Sequence, residues 1–220
     1  SLVEDGLVID LSAMKDVVFD PGSTTATVGP GCGWRDVDLA TYVDVTVPGE
    51  AGPSGYAGPG GDCPTVSNAG YSLGGGYGLL GRRFGLCCDH ILEAEMVDAE
   101  GRVLRASDQE NPASFWALRG AGGGGCGVVT PLLCRLDVVP KTVMGGVLMW
   151  PLEHAAAAFR AYRDLYVGRD DDRLSLYLVL TTNPYPDGEK VVMVSGMYVG
   201  DPAEAASHLA PSRSAAKPLM

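Results

Sequence analysis

Apolar and polar residues alternate along much of this chain, and the stretches that break the alternation mark its turns and helices. Gly6–Ser12 (GLVIDLS) and Lys15–Asp20 (KDVVFD) predict short strands, with a turn at Asp20-Pro21-Gly22-Ser23 leading into a further strand from Thr24. Trp34, Val37 and Ala40 recur at helical spacing and predict a helix over Trp34–Tyr42. Val47–Gly61 is so rich in glycine and proline that it reads as a loop. His90–Ala106 reads as strand, Glu100-Gly101 turn, strand. Asn111–Leu118 predicts a helix entered at a polar cap, with Pro112 at its first position. Val128–Val139 reads as a strand pair or one bent strand.

The pattern changes near Met144. Val143–Pro151 predicts a strand and Glu153–Val167 an alanine-rich helix. Leu174, Leu176, Leu178 and Leu180 alternate with polar or aromatic residues, as a half-buried strand does. Asp187-Gly188 predicts a turn into a second alternating strand beginning at Lys190. Asp201-Pro202-Ala203-Glu204 has the composition of a helix start, with an acidic cap, proline at the first position and glutamate further in. The order strand, helix, strand, strand, helix stops short of the last strand of a split βαβ layer.

A chain of 220 residues can bury one substantial core or two small ones, and 46% hydrophobic with 20% charged residues is a globular composition. The formal net charge of -11 argues against a nucleic-acid backbone or an anionic membrane as partner, since both call for basic surface. No run approaches the roughly 18 apolar residues of a membrane span. The six cysteines show neither a CxxC pair nor zinc-ligand spacing, so most are expected to be small buried hydrophobes. His90, His154 and His208 are too scattered to suggest a metal site. The chain begins at Ser1 without methionine, and its compartment stays open.

Within Gly61–His90 (GDCPTVSNAGYSLGGGYGLLGRRFGLCCDH) the alternation gives way to glycine. Cys63 stands seven residues before Gly70, followed by Gly74-Gly75-Gly76-Tyr77-Gly78, then Arg82-Arg83 and Asp89. So few bulky apolar groups cannot build a core, while bare backbone can approach a flat or charged ligand closely. A cysteine, a glycine cradle and a downstream acid in one run read as a cofactor bed. Two other motifs overlap it. Gly70-Tyr71-Ser72-Leu73-Gly74 fits the GxSxG nucleophile elbow, with His208 and Asp164 or Asp170 as nominal triad partners. Gly76–Gly81 fits GxGxxG, with Asp98 at a plausible distance. Both motifs require a preceding apolar strand, and CPTVSNA is a poor one.

CPTVSNAG, GGGYG and RRFGLCCDH resemble, in order, three runs of the berberine-bridge-enzyme-like branch of the vanillyl-alcohol-oxidase superfamily, the FAD-binding PCMH-type flavoproteins. Those runs are Cys-Pro-x-Val-Gly-x-x-Gly, Gly-Gly-Gly-Tyr/Phe-Gly and Arg-Lys-Tyr-Gly-Leu-x-x-Asp-Asn. A second block, Glu110–Thr130 (ENPASFWALRGAGGGGCGVVT), is similar to the family's Asn-Pro-x-Phe-Trp-Ala-Leu-Arg-Gly to Gly-Val-Val-Thr. The similarity runs from about Gly6 to about Pro211. The chain departs from the pattern at Ser67, where relatives have glycine, and at Gly125-Cys126, where they have Asn-Phe. Glu50 to Pro59 looks like an insertion.

The resemblance implies an α+β architecture: a PCMH-type FAD-binding subdomain over residues 1–143, then part of an antiparallel-sheet substrate domain, with helices on one face, over residues 144–220. An earlier FAD subdomain, bearing a pyrophosphate loop and a flavin-linked histidine, and a C-terminal segment with active-site tyrosines are expected to lie outside this sequence. The implied activity is FAD-dependent oxidation of an alcohol, sugar or secondary metabolite. A base would take the hydroxyl proton as hydride passes to the flavin, and dioxygen would reoxidise the flavin to give hydrogen peroxide. By the same resemblance Cys63 is the residue of a 6-S-cysteinyl flavin link, with Cys32 a weaker rival. Gly60, Gly61, Pro64, Thr65, Val66, Ser67, Gly70, Gly74, Gly75, Gly76 and Gly78 would line the cofactor. Gly127, Val128 and Val129 would offer backbone to its nucleotide half. Tyr77 would hold or deprotonate substrate, or else serve as a packing aromatic. Asp89 reads as a structural cap, and Arg82 and Arg83 as phosphate partners or a solvated helix end. The implied partners are a small-molecule substrate and dioxygen, with a homo-oligomer compatible. The competing reading is a protein of this fold that sequesters flavin or a drug-like molecule without turnover.

Overall fold

The computed structural model describes residues 5–219 apart from 44, 47–53, 123–124, 141, 168–169, 183–187 and 216. The chain divides into two compact units, residues 1–139 and 140–220. In the first, β1 (Val17–Asp20), β2 (Thr25–Val28), α1 (Trp34–Thr41), β3 (Ser54–Ala57), α2 (Asn68–Leu73) and α3 (Gly81–Phe84) come in turn. A single 3-10 turn, Cys87–His90, leads into β4 (Ile91–Val97), followed by β5 (Val103–Ser107), α4 (Pro112–Leu118), β6 (Val128–Arg135) and β7 (Asp137–Pro140). Five strands pair antiparallel in the order β1-β2-β6-β4-β5, and β3 pairs with β7.

The core of this unit follows from the alternation. Ile91, Ala94, Met96, Ala106, Leu132 and Cys134 bring sheet residues into one buried cluster with Ala69 and Leu73 of α2 and Phe115 and Leu118 of α4. A second cluster joins Ala26 and Val28 of β2 to Cys32, Val37 of α1 and Leu136, with Phe19 and Tyr56 against it.

The second unit holds β8 (Met144–Pro151), α5 (Ala155–Tyr162), β9 (Leu174–Thr182), β10 (Lys190–Tyr198) and α6 (Pro202–Ala215). Its three strands are antiparallel in the order β8-β10-β9. Register places Val192 beside Trp150, and Val194 between Leu148 and Leu178. That face is buried together with Ala158 of α5 and Ala205 of α6, so both helices cover one side of the sheet. Asp201 caps α6 as its composition predicts, its Oδ1 accepting from the Ala203 amide at 2.7 Å.

Several expectations are corrected. Gly6–Ser12 forms no strand: no strand pairs with it among the described residues, and Leu7, Val8 and Ile9 are exposed. Alternation supplies a face, but a strand also needs a neighbour for its amides. The Gly/Pro run read as a loop contains β3, held by β7; residues 50–53 of the expected insertion lie outside the described residues, as does Asp187 of the expected turn. Val128–Val139 becomes two strands in different sheets, because Leu136 between them turns into the second cluster and its amide donates to Thr24 O at 2.8 Å. Only Ala155–Tyr162 of the predicted Glu153–Val167 helix is α-helical; a 3-10 turn precedes it and one wide π turn, Arg163–Val167, follows.

Candidate cofactor site

The strip Cys63–Ser67 lies along the N-terminus of α1. First-turn amides of a helix lack intrahelical acceptors, and here the strip supplies them. The Trp34 amide donates to Val66 O at 3.2 Å and the Arg35 amide to Pro64 O at 3.0 Å. The Asn68 amide donates to Cys32 O at 2.9 Å, closing the strip against the turn before α1. One edge of the strip is therefore bonded to protein, while every residue from Asp62 to Ser67 is exposed.

On that exposed edge the Cys63 thiol is free and stands 3.4 Å from Thr65 Oγ1. The Thr65 hydroxyl, and after it the Thr65 amide, holds the thiol below its ordinary value, which favours the nucleophilic thiolate. The rival Cys32 is buried, and burial pushes its thiol up. Cys87 and Cys134 are buried and pushed up to about 12, chiefly by desolvation.

The glycines fall into two groups. At Gly60 a Cβ would lie 2.5 Å from the Trp34 ring, at Gly61 2.9 Å from the Tyr71 ring, and at Gly76 2.7 Å from Cys87. At Gly78 it would collide with the Gly60 carbonyl. These four are glycine because protein lies against them. At Gly75, with φ +109°, a Cβ would meet nothing within 4 Å; at Gly70 and Gly74 its nearest neighbours, at 4.0 and 3.5 Å, belong to α2 or its cap. These three face open space, as a ligand-facing backbone would.

The Gly75-Gly76 loop is backed by the Cys87–His90 turn: the Cys87 amide donates to Gly76 O at 3.0 Å and the Cys88 amide to Gly75 O at 2.8 Å. The Cys87 thiol donates to Pro59 O at 2.9 Å, joining the Pro59-Gly60 segment to the same turn. Tyr77 is 44% exposed. Its ring lies over Gly81, whose Cβ would sit 3.2 Å away, and its carbonyl accepts the Tyr71 hydroxyl. Tyr71 also meets Trp34 edge-on at 6.1 Å. Trp34, Tyr71 and the Cys87 turn thus hold the candidate bed from beneath. Sequence reasoning missed all three; the only signal was that Gly60, Gly61 and Gly76 need bulky neighbours to explain them.

Ser67 has a local role. Its hydroxyl donates to Pro30 O at 3.0 Å and accepts from the Gly70 amide at 3.4 Å, capping α2. Pro64, Thr65 and Val66 are exposed beside it. Gly127 has φ +143° and would drive a Cβ into Val97 O at 2.5 Å, so packing alone demands glycine there. Val128 and Val129 pair with Val97 and Met96, and the Val129 side chain is core. The loop leading to them approaches the bed at its other end, where the Gly120 and Gly122 amides donate to Leu73 O at 3.0 and 2.7 Å. Asp89 is clasped by Arg119 at 3.4 Å, and Arg83 lies over the Phe84 ring. Ser72 is 1% exposed inside α2, so it is no nucleophile elbow. The GxGxxG run opens a helix of only four residues with no strand before it. Among the described residues no group of three His, Cys, Asp or Glu could hold a metal, and no helix is long and apolar enough to cross a membrane.

A loop-borne strip beside a helix N-terminus, on an antiparallel five-stranded sheet, defines the class: residues 1–107 match the family described as FAD binding domain. The chain is 34% identical over 218 residues to an uncharacterized FAD-linked oxidoreductase, YvdP, of Bacillus subtilis, covering 99% of this chain and 45% of that protein. It is 34% identical over 211 residues to berberine bridge enzyme-like D-2 of Nicotiana tabacum, covering 92% of this chain and 35% of that one. Among solved structures, 6-hydroxy-D-nicotine oxidase of Arthrobacter nicotinovorans superposes with a TM-score of 0.80 at 26% identity, over 98% of this chain and 45% of the oxidase. Residues 1–107 thus carry the FAD binding domain, and the chain is similar to berberine-bridge-enzyme-like and FAD-linked proteins, of which it spans less than half the length.

Proposed function

We propose that the chain carries the cofactor-facing portion of an FAD-dependent oxidase acting on an alcohol, sugar or secondary metabolite. Residues 1–139 would serve as an FAD-binding subdomain, and residues 140–220 as part of the substrate-binding domain. The single observation that carries this is the exposed Cys63 thiol, its ionisation favoured by Thr65, on a strip whose far edge is bonded to α1. The open glycines Gly70, Gly74 and Gly75 support it, because bare backbone there leaves room for a flat ring system. Pro64, Thr65, Val66 and Ser67 would border the ring, and Gly60, Gly61, Gly76 and Gly78 would keep the loops close enough to form one bed. Gly127, Val128 and Val129 would contribute backbone only. Bound FAD would supply the two-electron acceptor that no side chain here provides.

Tyr77 would stand over the bed as the substrate-facing residue, with its backbone held by Tyr71. A phenol is a weak base near neutral pH, so its first task would be to orient the substrate hydroxyl. Intact mass and visible absorption of acid-precipitated protein test the tether. FAD mass and yellow colour should stay with the wild-type polypeptide, with a flavin adduct on the peptide bearing Cys63 that is lost in Cys63→Ala even where a histidine link keeps the flavin attached elsewhere. Colourless precipitate from a yellow wild-type protein would reject the cysteinyl link. Peroxide release during a screen of alcohols and sugars tests oxidase turnover. Bound colour that no substrate bleaches under anaerobic conditions would favour sequestration instead.

A further inference from the structure

The turn behind the glycine loop is itself fastened by a buried pair. His90 closes the Cys87–His90 turn with its side chain only 3% exposed. Its Nδ1 lies 3.0 Å from Leu86 O, and because a carbonyl can only accept, Nδ1 carries a hydrogen. Its Nε2 lies 2.6 Å from Asp137 Oδ2. That short contact fastens the ring to Asp137 on the side away from Leu86. Arg135 Nη2 is 3.1 Å from the same Nε2, and Arg135 Nε is 4.0 Å from Asp137 Oδ1. His90 and Arg135 therefore meet at Asp137. Asp89, the other nearby carboxylate, is directed to Arg119, and the buried Cys87 thiol is directed to Pro59 O.

We infer that His90 is a positioning residue for the cofactor bed. Held between Leu86 O and Asp137, it sets the turn whose Cys87 and Cys88 amides hold the Gly76 and Gly75 carbonyls. Asp137 opens β7, which pairs with β3, and β3 runs on toward Pro59 and Gly60. One side-chain contact thus ties the loops on both sides of the bed to one another. The inference rests on the FAD reading for its consequence, and on geometry alone for the clamp.

The test uses the purified flavin-bearing protein and reads amide exchange and the visible flavin band side by side. In His90→Ala the amides of Cys87 and Cys88 should exchange about tenfold faster or more, while those of Ala94 and Met96 in β4 stay unchanged. The flavin band should shift or broaden. Asp137→Ala removes the partner of Nε2 and should loosen the same two amides; it serves if His90→Ala fails to fold. His90→Asn, which restores a donor without charge, should recover most of the protection. Unchanged Cys87 and Cys88 protection in both His90→Ala and Asp137→Ala overturns the clamp. If those amides respond while wild-type protein never takes up flavin, the FAD reading fails and the positioning role with it, although the His90–Asp137 contact stands.

Discussion

At the scale of single residues the thiols divide by environment. Cys63 is solvent-facing and its ionisation is favoured by Thr65, whereas Cys87 and Cys134 are buried and pushed up to about 12. In flavin-free protein, alkylation near pH 8 should therefore modify Cys63 and leave Cys87 and Cys134 untouched until the protein unfolds. Thr65→Val should move the pH midpoint of Cys63 alkylation upward; an unchanged midpoint would mean the hydroxyl does not stabilise the thiolate. The two groups of glycines predict opposite results. Gly60→Ala pushes a methyl into the Trp34 ring and should cost about 1–3 kcal/mol in urea denaturation. Gly70→Ala has room and sits within a helix, so it should stabilise the free protein by up to about 1 kcal/mol. If Gly70 faces the flavin, the same variant should retain less of it.

At the scale of elements, α2 decides where the bed ends, because its cap Ser67 is also the last residue of the strip. Ser67→Ala should cost about 1 kcal/mol in thermal or urea unfolding, and Ser67→Gly only a few tenths. Equal losses would show that the hydroxyl matters for its bond to Pro30 O and not as a cap. Packing of α4 is more demanding. Phe115 is buried among Leu73, Met96 and Leu132, and truncating it to alanine should cost about 3–5 kcal/mol. The elements that periodicity predicted best are those whose pairing or packing is local, such as β4 with β5, α1, and the strands of the second unit. β3 went unseen because its partner β7 is distant in sequence and its own four residues, Ser-Gly-Tyr-Ala, show no alternation.

At the scale of the whole molecule, titration links both units to pH. Cys87, Cys134 and Tyr198 all have folded values raised to about 12, from ordinary values of 9.0 for the thiols and 10.0 for the phenol. A raised folded value means stability that is complete below the unfolded value and lost as pH climbs through the folded one. Stability should hold to about pH 9 and then fall toward 12, with Cys87→Ser and Cys134→Ala together flattening its early part. Asp171 works in the other direction. Arg173, bound through Nε and Nη2 at 3.1 and 3.2 Å, holds it below its ordinary 3.8. Its contribution is present above that value and disappears as pH falls below it, so Asp171→Asn should lessen acid sensitivity in circular dichroism of the second unit.

The likeness to FAD-binding proteins was legible from order along the chain, in a cysteine ahead of spaced glycines, an aromatic among them and an acid beyond, and residues 1–107 match the FAD binding domain. Local periodicity likewise specified most helices and strands, since spacing of apolar groups acts over a few residues. Which glycines stand open and which merely admit Trp34, Tyr71 or Cys87 was invisible until distant segments met. The same holds for the His90–Asp137 pair, whose partners are 47 residues apart. Burial and charge pairing arise between segments that chain order does not place side by side, so they belong to the folded molecule alone.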